Sequence, residues 1–390
     1  MRILFFKYLK RQRILTLLFI ITLSSMLFSM TALSLLGFYK GFTTYLGEEE
    51  DIVVIYNKKS STPFTGLVPA YLAEKISDLN GVLAASPEVI IPCIIKNKAT
   101  FLRGIIPKEF TKINQLTIIE GATLELNDLN SAIAGKKVAE RLSLKLNDTI
   151  LILSVLTDRY LELKIKGIFI SNSPIDDEIL VPLYVGQWLV GTDYGYVTLI
   201  RFKIDRNIIT PSIIYEEIAK EVSEPSQPQN QEPQPPSITP RIIIRFGSKD
   251  LGVEEAYRFL KSYTDRYGLT RESLLILSSM VFIFSSANII IATKTIIAQH
   301  KGEIGVLRSI GASKKLLKRD MLIKILPWSI VFSFLGFAMA IAVLIVIQEG
   351  DYFQVLSHAV PIHIDPLIVA INLILVMLLV LISILKSNFE

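Results

Sequence analysis

Four stretches of this chain carry no charged residue at all: Ile14–Phe38, Ser273–Thr293, Ile325–Gln348 and Pro366–Leu385. Each is 20 residues or longer, and a helix needs about 20 residues to cross the hydrocarbon core of a bilayer. The chain therefore reads as a multi-pass α-helical membrane protein with four transmembrane helices. A signal peptide is the alternative for the first run, which follows a basic start. Its 25 uncharged residues exceed an h-region, and no clear cleavage site follows, so it is read as a retained helix.

Charge sets the orientation. Arg2, Lys7, Lys10, Arg11 and Arg13 precede the first run, and eight Lys and Arg from Lys294 to Lys324 lie between the second and third. The stretch Glu349–Asp365 has three acids and no basic residue. The positive-inside rule then places the N-terminus, the 294–324 segment and the C-terminus in the cytoplasm. The formal net charge of +5 hides this division. Residues 39–268 carry 26 Lys and Arg against 29 Asp and Glu, and the rest of the chain carries 15 against 7.

The expected organisation runs as follows. Residues 1–13 are a cytoplasmic basic start, 14–38 the first transmembrane helix, and 39–268 a large α/β extracytoplasmic domain. Residues 269–298 are the second helix, 299–322 a cytoplasmic segment, and 323–348 the third helix. A short outer loop, 349–365, leads to the fourth helix at 366–386 and a cytoplasmic end at 387–390.

The outer domain alternates strand-like and helix-like patterns. Strands are expected at 51–56, 88–95, 99–105, 149–156, 160–170, 178–183, 196–205 and 241–247. Pro92 marks its strand as an edge or a bulge. Helices are expected at 69–79, 134–146, 211–222 and 253–267. Residues 51–95 and 196–267 share a strand–helix–strand order, which suggests one lobe with 97–195 inserted as a second. "EPSQPQNQEPQPPSITP" (224–240) has six prolines in 17 residues. It reads as an extended insertion without a core.

Several chemistries find no support. No G-x-x-x-x-G-K-[ST], H-E-x-x-H, C-x-x-C or G-x-S-x-G occurs, so no catalytic residue, metal site or bound cofactor is expected in this chain. Cys93 is the single cysteine, which excludes an intrachain disulfide. Of the histidines, His300, His358 and His363, the last two read as exposed or interfacial rather than as a metal site. The helix cores lack charge, which weakens the case for an ion-driven transporter. Asn288 and Asn372 are expected to bond neighbouring helices, and Ser333, Gly336 and Ala340 to allow close helix packing. Nothing points to nucleic acid.

The stretch "HKGEIGVLRSIGASKKLLKRD" (300–320) is left. Wound as a helix, Ile304, Val306, Leu307, Ile310 and Gly311 share one arc with Glu303 in its middle, and Gly305, Arg308, Ser309 and Ala312 lie opposite. The lysines that follow favour anionic headgroups. By its residues alone this segment suits two roles, an interfacial connector or a docking element. "KGEIGVLRSIGAS" closely resembles the R-x-x-E-I-G-x-L-R-A-I-G-A motif of FtsX-like permeases, the MacB and LolCDE class of ABC transporter membrane subunits. Glu303, Ile304, Gly305, Leu307, Arg308, Ile310, Gly311 and Ala312 match it, and Lys301 stands near the usual basic position. "FLRGIIPKEF", "AIAGKKVAERLSLKLNDTILIL", "KIKGIFISNS" and "EILVPLYVGQWLVG" resemble segments of a MacB-type outer domain.

The resemblance implies a two-lobed outer domain between helices one and two. It also implies that those eight residues dock a separate cytoplasmic ABC ATPase, which binds the ATP. A second permease copy, identical or related, would pair with this one in the cell membrane, and motion rather than a solute channel would cross the bilayer. Two departures stand out. The sequence ends at "KSNFE" without the Pro-, Ala- and Arg-rich tail usual in the family. Lys324 and Pro327–Trp328 stand where many members carry an acid. Two other classes remain: a signalling or structural membrane protein acting on an extracellular partner, and a membrane enzyme.

Overall fold

The computed structural model describes residues 11–223, 250–350, 353–356, 358–362 and 364–386. The chain forms two compact units. One comprises residues 1–41, 268–355 and 359–390, the other residues 42–267 and 356–358. In chain order the elements begin with helix α1 (Arg11–Thr43), strands β1 (Ile52–Asn57) and β2 (Val68–Pro69), and α2 (Leu72–Ser77). β3 (Val82–Ile95), β4 (Lys98–Ile105), α3 (Pro107–Ile113), β5 (Thr117–Gly121), β6 (Ser131–Gly135) and α4 (Lys136–Leu142) follow. Next come β7 (Thr149–Ser154), β8 (Tyr160–Ile170), a 3₁₀ turn (Pro174–Asp177), β9 (Glu178–Pro182) and α5 (Leu183–Val190). The outer unit closes with β10 (Tyr196–Val197), β11 (Leu199–Ile204), α6 (Pro211–Ser223), β12 (Leu251–Glu255) and α7 (Ala256–Arg266). The last helices are α8 (Arg271–Gln299), α9 (Lys301–Ser309), α10 (Lys314–Glu349) and α11 (Pro366–Lys386).

Four of these helices, α1, α8, α10 and α11, are long and apolar enough to cross a membrane. The uncharged runs form their interiors, and the helices continue past them because charged residues are tolerated at the water-facing ends. Buried hydroxyls inside them are satisfied by the preceding turn. Thr22 donates to the Leu18 carbonyl (2.9 Å), Ser278 to Leu274 (2.8 Å) and Thr293 to Ile289 (2.7 Å).

Small residues let α1 and α10 touch through their backbones. A Cβ on Gly336 would lie 2.4 Å from the Thr22 carbonyl oxygen. Beside it Ser25 Oγ donates to the Ser333 carbonyl (2.8 Å), and Asn372 Nδ2 donates to Ser25 Oγ (2.6 Å). One buried polar knot thus ties α1, α10 and α11, as small and amide side chains do in lipid.

The outer unit is built on one ten-stranded sheet in the order β12-β1-β11-β3-β4-β9-β6-β8-β5, with β7 pairing β3 and β8. β4–β9 and β6–β8 are parallel and the other pairs antiparallel. The 14-residue β3 serves both sides of the sheet. Its first half pairs β11 up to Glu88↔Leu199, and its second pairs β4 from Val89↔Gly104 onward.

Two expectations are corrected, while Pro92 sits at a local edge of β3: it pairs Phe101 of β4, and on its other side β11 stops at Glu88 and β7 begins at Cys93. It is tolerated because β7 pairs only as far as Cys93↔Ser154, so the missing N–H falls just beyond that ladder. The helix expected at 134–146 starts only at Lys136, after β6, whose Gly135 would bring a Cβ 2.3 Å from the Asp176 carbonyl oxygen. The helix expected at 253–267 gives up its first turn to β12, which pairs with β1 through Val53↔Glu255; tertiary pairing overrides local propensity there. The proline-rich stretch 224–240 and the strand expected at 241–247 lie outside the described residues.

Candidate functional site

The 300–320 segment is a helix–turn–helix whose boundaries come from three residues. His300 interrupts the α8 helix for one residue (φ −109°, ψ 19°) and α9 resumes at once. The joint is tight. The His300 N–H reaches the Ile296 and Ile297 carbonyls (both 3.2 Å), and the His300 carbonyl accepts from Ile304 N–H (2.9 Å). The imidazole is buried, with Nδ1 2.7 Å from the Ile296 carbonyl oxygen. α9 is thereby an extension of α8 rather than a loose loop.

Gly311 ends α9 with a φ of +98°. Its N–H bonds the Arg308 carbonyl (2.9 Å), and the Ala312 N–H bonds the Leu307 carbonyl (3.1 Å). This is the paired closure in which a left-handed residue satisfies the last carbonyls of a helix. Ser313 then starts α10, its hydroxyl accepting from Leu316 N–H (3.3 Å). Residues 314–322 belong to this third long helix.

The apolar arc expected of this segment is split. His300, Glu303, Ile304 and Leu307 face inward at i, i+3, i+4 and i+7, with Ile304 only 3% exposed. Val306 and Ile310 point away, 60% and 78% exposed. With Gly302 they form one i, i+4 row, and Gly305 and Gly302 have nothing within 4 Å of where a Cβ would stand. An arc of about 160° is wider than one neighbouring surface covers, so part of it stays open. Of the eight motif residues, Gly305, Arg308, Ile310 and Gly311 are exposed, Glu303, Leu307 and Ala312 half-buried, and Ile304 buried. Val306, already in the apolar arc, and Gly302 fall outside the eight motif matches.

A second constellation lies in the outer unit, spread over four strands and not expected from the sequence. Arg103 on β4, fully buried, forks onto Glu178 of β9 through Nε–Oε2 (2.6 Å) and Nη2–Oε1 (2.8 Å). Its Nη1 reaches Glu88 of β3. Glu88 also accepts from Arg201 of β11 (2.9 Å), whose Nη1 bonds the Leu46 carbonyl (3.0 Å) and Asn114 Oδ1 (3.1 Å). Charges alternate across neighbouring strands, each guanidinium also facing an aromatic ring: Tyr45 for Arg103 and Phe110 for Arg201, both at 5.3 Å.

Burial pushes the Glu178 carboxyl up, but the Arg103 guanidinium outweighs it and holds it below the usual carboxylate range. Burial pushes Arg103 down, and its acidic partners, Glu178 first and Glu88 after it, help to more than reverse that. For Arg201 burial prevails, and its guanidinium is lowered. Burial also drives the Tyr45 phenol well above its ordinary value, helped by Glu178.

Of the two histidines expected to be exposed or interfacial, His358 is buried and His363 lies outside the described residues. Among the described residues no group of three His, Cys, Asp or Glu side chains has the geometry to hold a metal ion.

Two family models match the chain. The MacB-like periplasmic core domain covers residues 14–210, and the FtsX-like permease C-terminal domain covers residues 275–387. Among solved structures, the periplasmic region of MacB from Actinobacillus actinomycetemcomitans aligns with 54% of this chain and 92% of its own, at 11% identity and a TM-score of 0.36. The extracellular domain of the noncanonic ABC-type transporter YknZ from Gram-positive bacteria aligns with 40% of this chain and 83% of its own, at 14% identity and a TM-score of 0.31. No curated protein matches the chain.

Proposed function

Because this chain belongs to the family of ABC-transporter-type permeases with a MacB-like periplasmic core domain and an FtsX-like C-terminal domain, we propose that it is the subunit converting ATP hydrolysis in a separate cytoplasmic ATPase into movement of its outer domain. Two copies, identical or related, pair in the membrane. Both termini and α9 are cytoplasmic, and the unit between α1 and α8 is outside. The chain contributes no catalytic residue and binds no nucleotide; ATP belongs to its partner. The cargo is moved or extracted by the outer domains rather than led through a channel.

The observation that carries this reading is the open row Gly302–Val306–Ile310 on a short helix fixed to the end of α8. Val306 and Ile310 offer apolar anchors, the glycines let a partner's backbone approach, and Arg308 adds a cation on the same exposed helix. Arginine is among the residues enriched in interface hot spots. The one-residue joint at His300 would carry a push on α9 straight into α8.

Co-purification tests the reading. The chain is expressed with the ABC ATPase encoded beside it, as wild type and with Arg308→Glu or Val306→Asp. The ATPase is expected to co-elute with the wild type and to be lost from both variants. Co-elution that survives both changes would remove α9 as the docking element. If the ATPase never associates, α9 is an interfacial connector and an extracellular regulatory role moves ahead.

A further inference from the structure

The basic cluster at the start of α10 is left unused by the docking reading. α10 is long and apolar enough to cross a bilayer. Two of the cations are spent inside the helical unit: Lys318 Nζ donates to the Leu385 carbonyl of α11 (2.5 Å), and Lys324 pairs with Asp320 (2.7 Å). Lys315 and Arg319 are exposed, and neither forms an ion pair with a described residue.

These two open a longer row. Lys315, Arg319, Ile323, Pro327, Val331 and Leu335 follow one another at four-residue intervals, and all are exposed. Residues so spaced form a continuous ridge inclined to the helix axis. The row Leu317, Met321, Ile325, Ser329 and Ser333 is buried throughout, so the ridge is the open side of a helix packed on its other side. Cations at one end thus lead into apolar side chains. The rise from Ile323 to Leu335 is about 18 Å, and one leaflet supplies half of a hydrocarbon core of about 30 Å.

The ridge ends in a groove between α1 and α10 of about 360 Å³, the size of a ligand cleft. Phe332, Leu335 and Met339 line it from α10, and Leu15, Phe19 and Met26 from α1. Among its described lining residues Thr22 alone carries a hydroxyl, which already donates to the Leu18 carbonyl (2.9 Å). A polar solute would give up its hydrogen bonds to water there, and a hydrocarbon tail has none to lose.

We propose that this ridge and groove seat one anionic phospholipid, its headgroup between Lys315 and Arg319 and a tail running along the ridge into the groove. Charge selects the headgroup. A zwitterionic headgroup carries its own cation, which the two side chains repel, whereas a net anion is attracted by both. Each Lys or Arg at a membrane surface favours anionic lipid by roughly fivefold, so the pair gives about tenfold or more. The site shares no residue with the Gly302–Val306–Ile310 row and does not depend on ATPase docking.

Retention of lipid tests it. The full chain is reconstituted into bilayers of equal phosphatidylglycerol and phosphatidylcholine with identical tails and then extracted into detergent. The phospholipid that stays bound is quantified by mass spectrometry. Phosphatidylglycerol is expected to be retained over phosphatidylcholine by about tenfold or more. Lys315→Gln with Arg319→Gln should bring it down to the phosphatidylcholine level. Phosphatidylcholine itself should not change, which separates a lost headgroup contact from misfolding. Lys136→Gln with Lys137→Gln, which removes the same charge from the outer unit, should leave the preference intact. Leu335→Trp, whose larger ring fills the groove, should lower retention of both lipids. Equal retention by the wild type overturns the site, as does a preference that survives loss of Lys315 and Arg319 or falls equally in the outer-unit control. Wild-type retention in Leu335→Trp overturns the seating of the tail. Displacement by inorganic phosphate in the wash would make the cations a simple ion site, and retention of neither lipid would leave the ridge to a second copy of the chain; both overturn the proposal.

Discussion

The α9 turn and the charge ladder of the outer unit ask opposite things of their side chains. α9 exposes two large aliphatic residues and leaves empty space over its glycines. The ladder hides Arg103, Arg201, Glu88 and Glu178 completely or nearly so, and pairs their charges with one another. In α9 a substitution changes what another molecule meets and little else. In the ladder a substitution leaves a charge stranded inside the fold. The first region offers a surface and the second holds a frame. The contrast can be tested by asking whether each region answers in stability or in coupling.

The largest stability effect belongs to Arg103→Met. It strands Glu178 and half of Glu88, and breaking a buried pair from one side costs about 3–5 kcal/mol. Denaturant unfolding of the full chain in detergent, followed through Trp188 in a Trp328→Phe background, should show that loss. A cost near zero would break the contrast. Acidification should act on the same place. The Glu178 carboxyl is held below its unfolded value, so its contribution is complete above the unfolded value of about 4.3 and is lost as pH falls through the lowered folded one. Glu178→Gln should flatten the acid limb of a stability–pH curve.

Gly311→Val comes next. A β-branched residue at φ +98° is strained by about 1–2 kcal/mol, and the closure of α9 loosens. Exchange protection over 307–313 should fall while the outer unit is untouched. Gly305→Leu should have the smallest effect on folding. No atom stands where its Cβ would go, and leaving glycine adds up to about 1 kcal/mol of helix propensity. Association with the ATPase should nevertheless be lost. A stability loss at Gly305, or retained association, would blur the line between the two regions.

Much of α9 was legible beforehand because its instructions are local. The motif residues lie within one short stretch, Glu303 to Ala312, whereas the stop at Gly311 and the start at Ser313 are seen only in the structure. Its facing was not legible. Ile304 and Leu307 turn inward while Val306 and Ile310 do not, and helical periodicity alone cannot say which part of a wide apolar arc meets a neighbour. The ladder left almost no trace. Glu88, Arg103, Glu178 and Arg201 are separated by up to 113 residues, each in an ordinary-looking strand. His358 read as a loop histidine because nothing near it in sequence announces the buried Asp177 beside it.

By itself the sequence determined the four long apolar helices and the domain between the first and second. These follow from hydropathy over about 20 residues. Only the tertiary structure decided that β3 serves both sides of one sheet, that β12 takes a turn from the last outer helix, and that buried charges alternate across four strands. Strand pairing and desolvation compare residues distant along the chain, and that comparison exists only once the chain has folded.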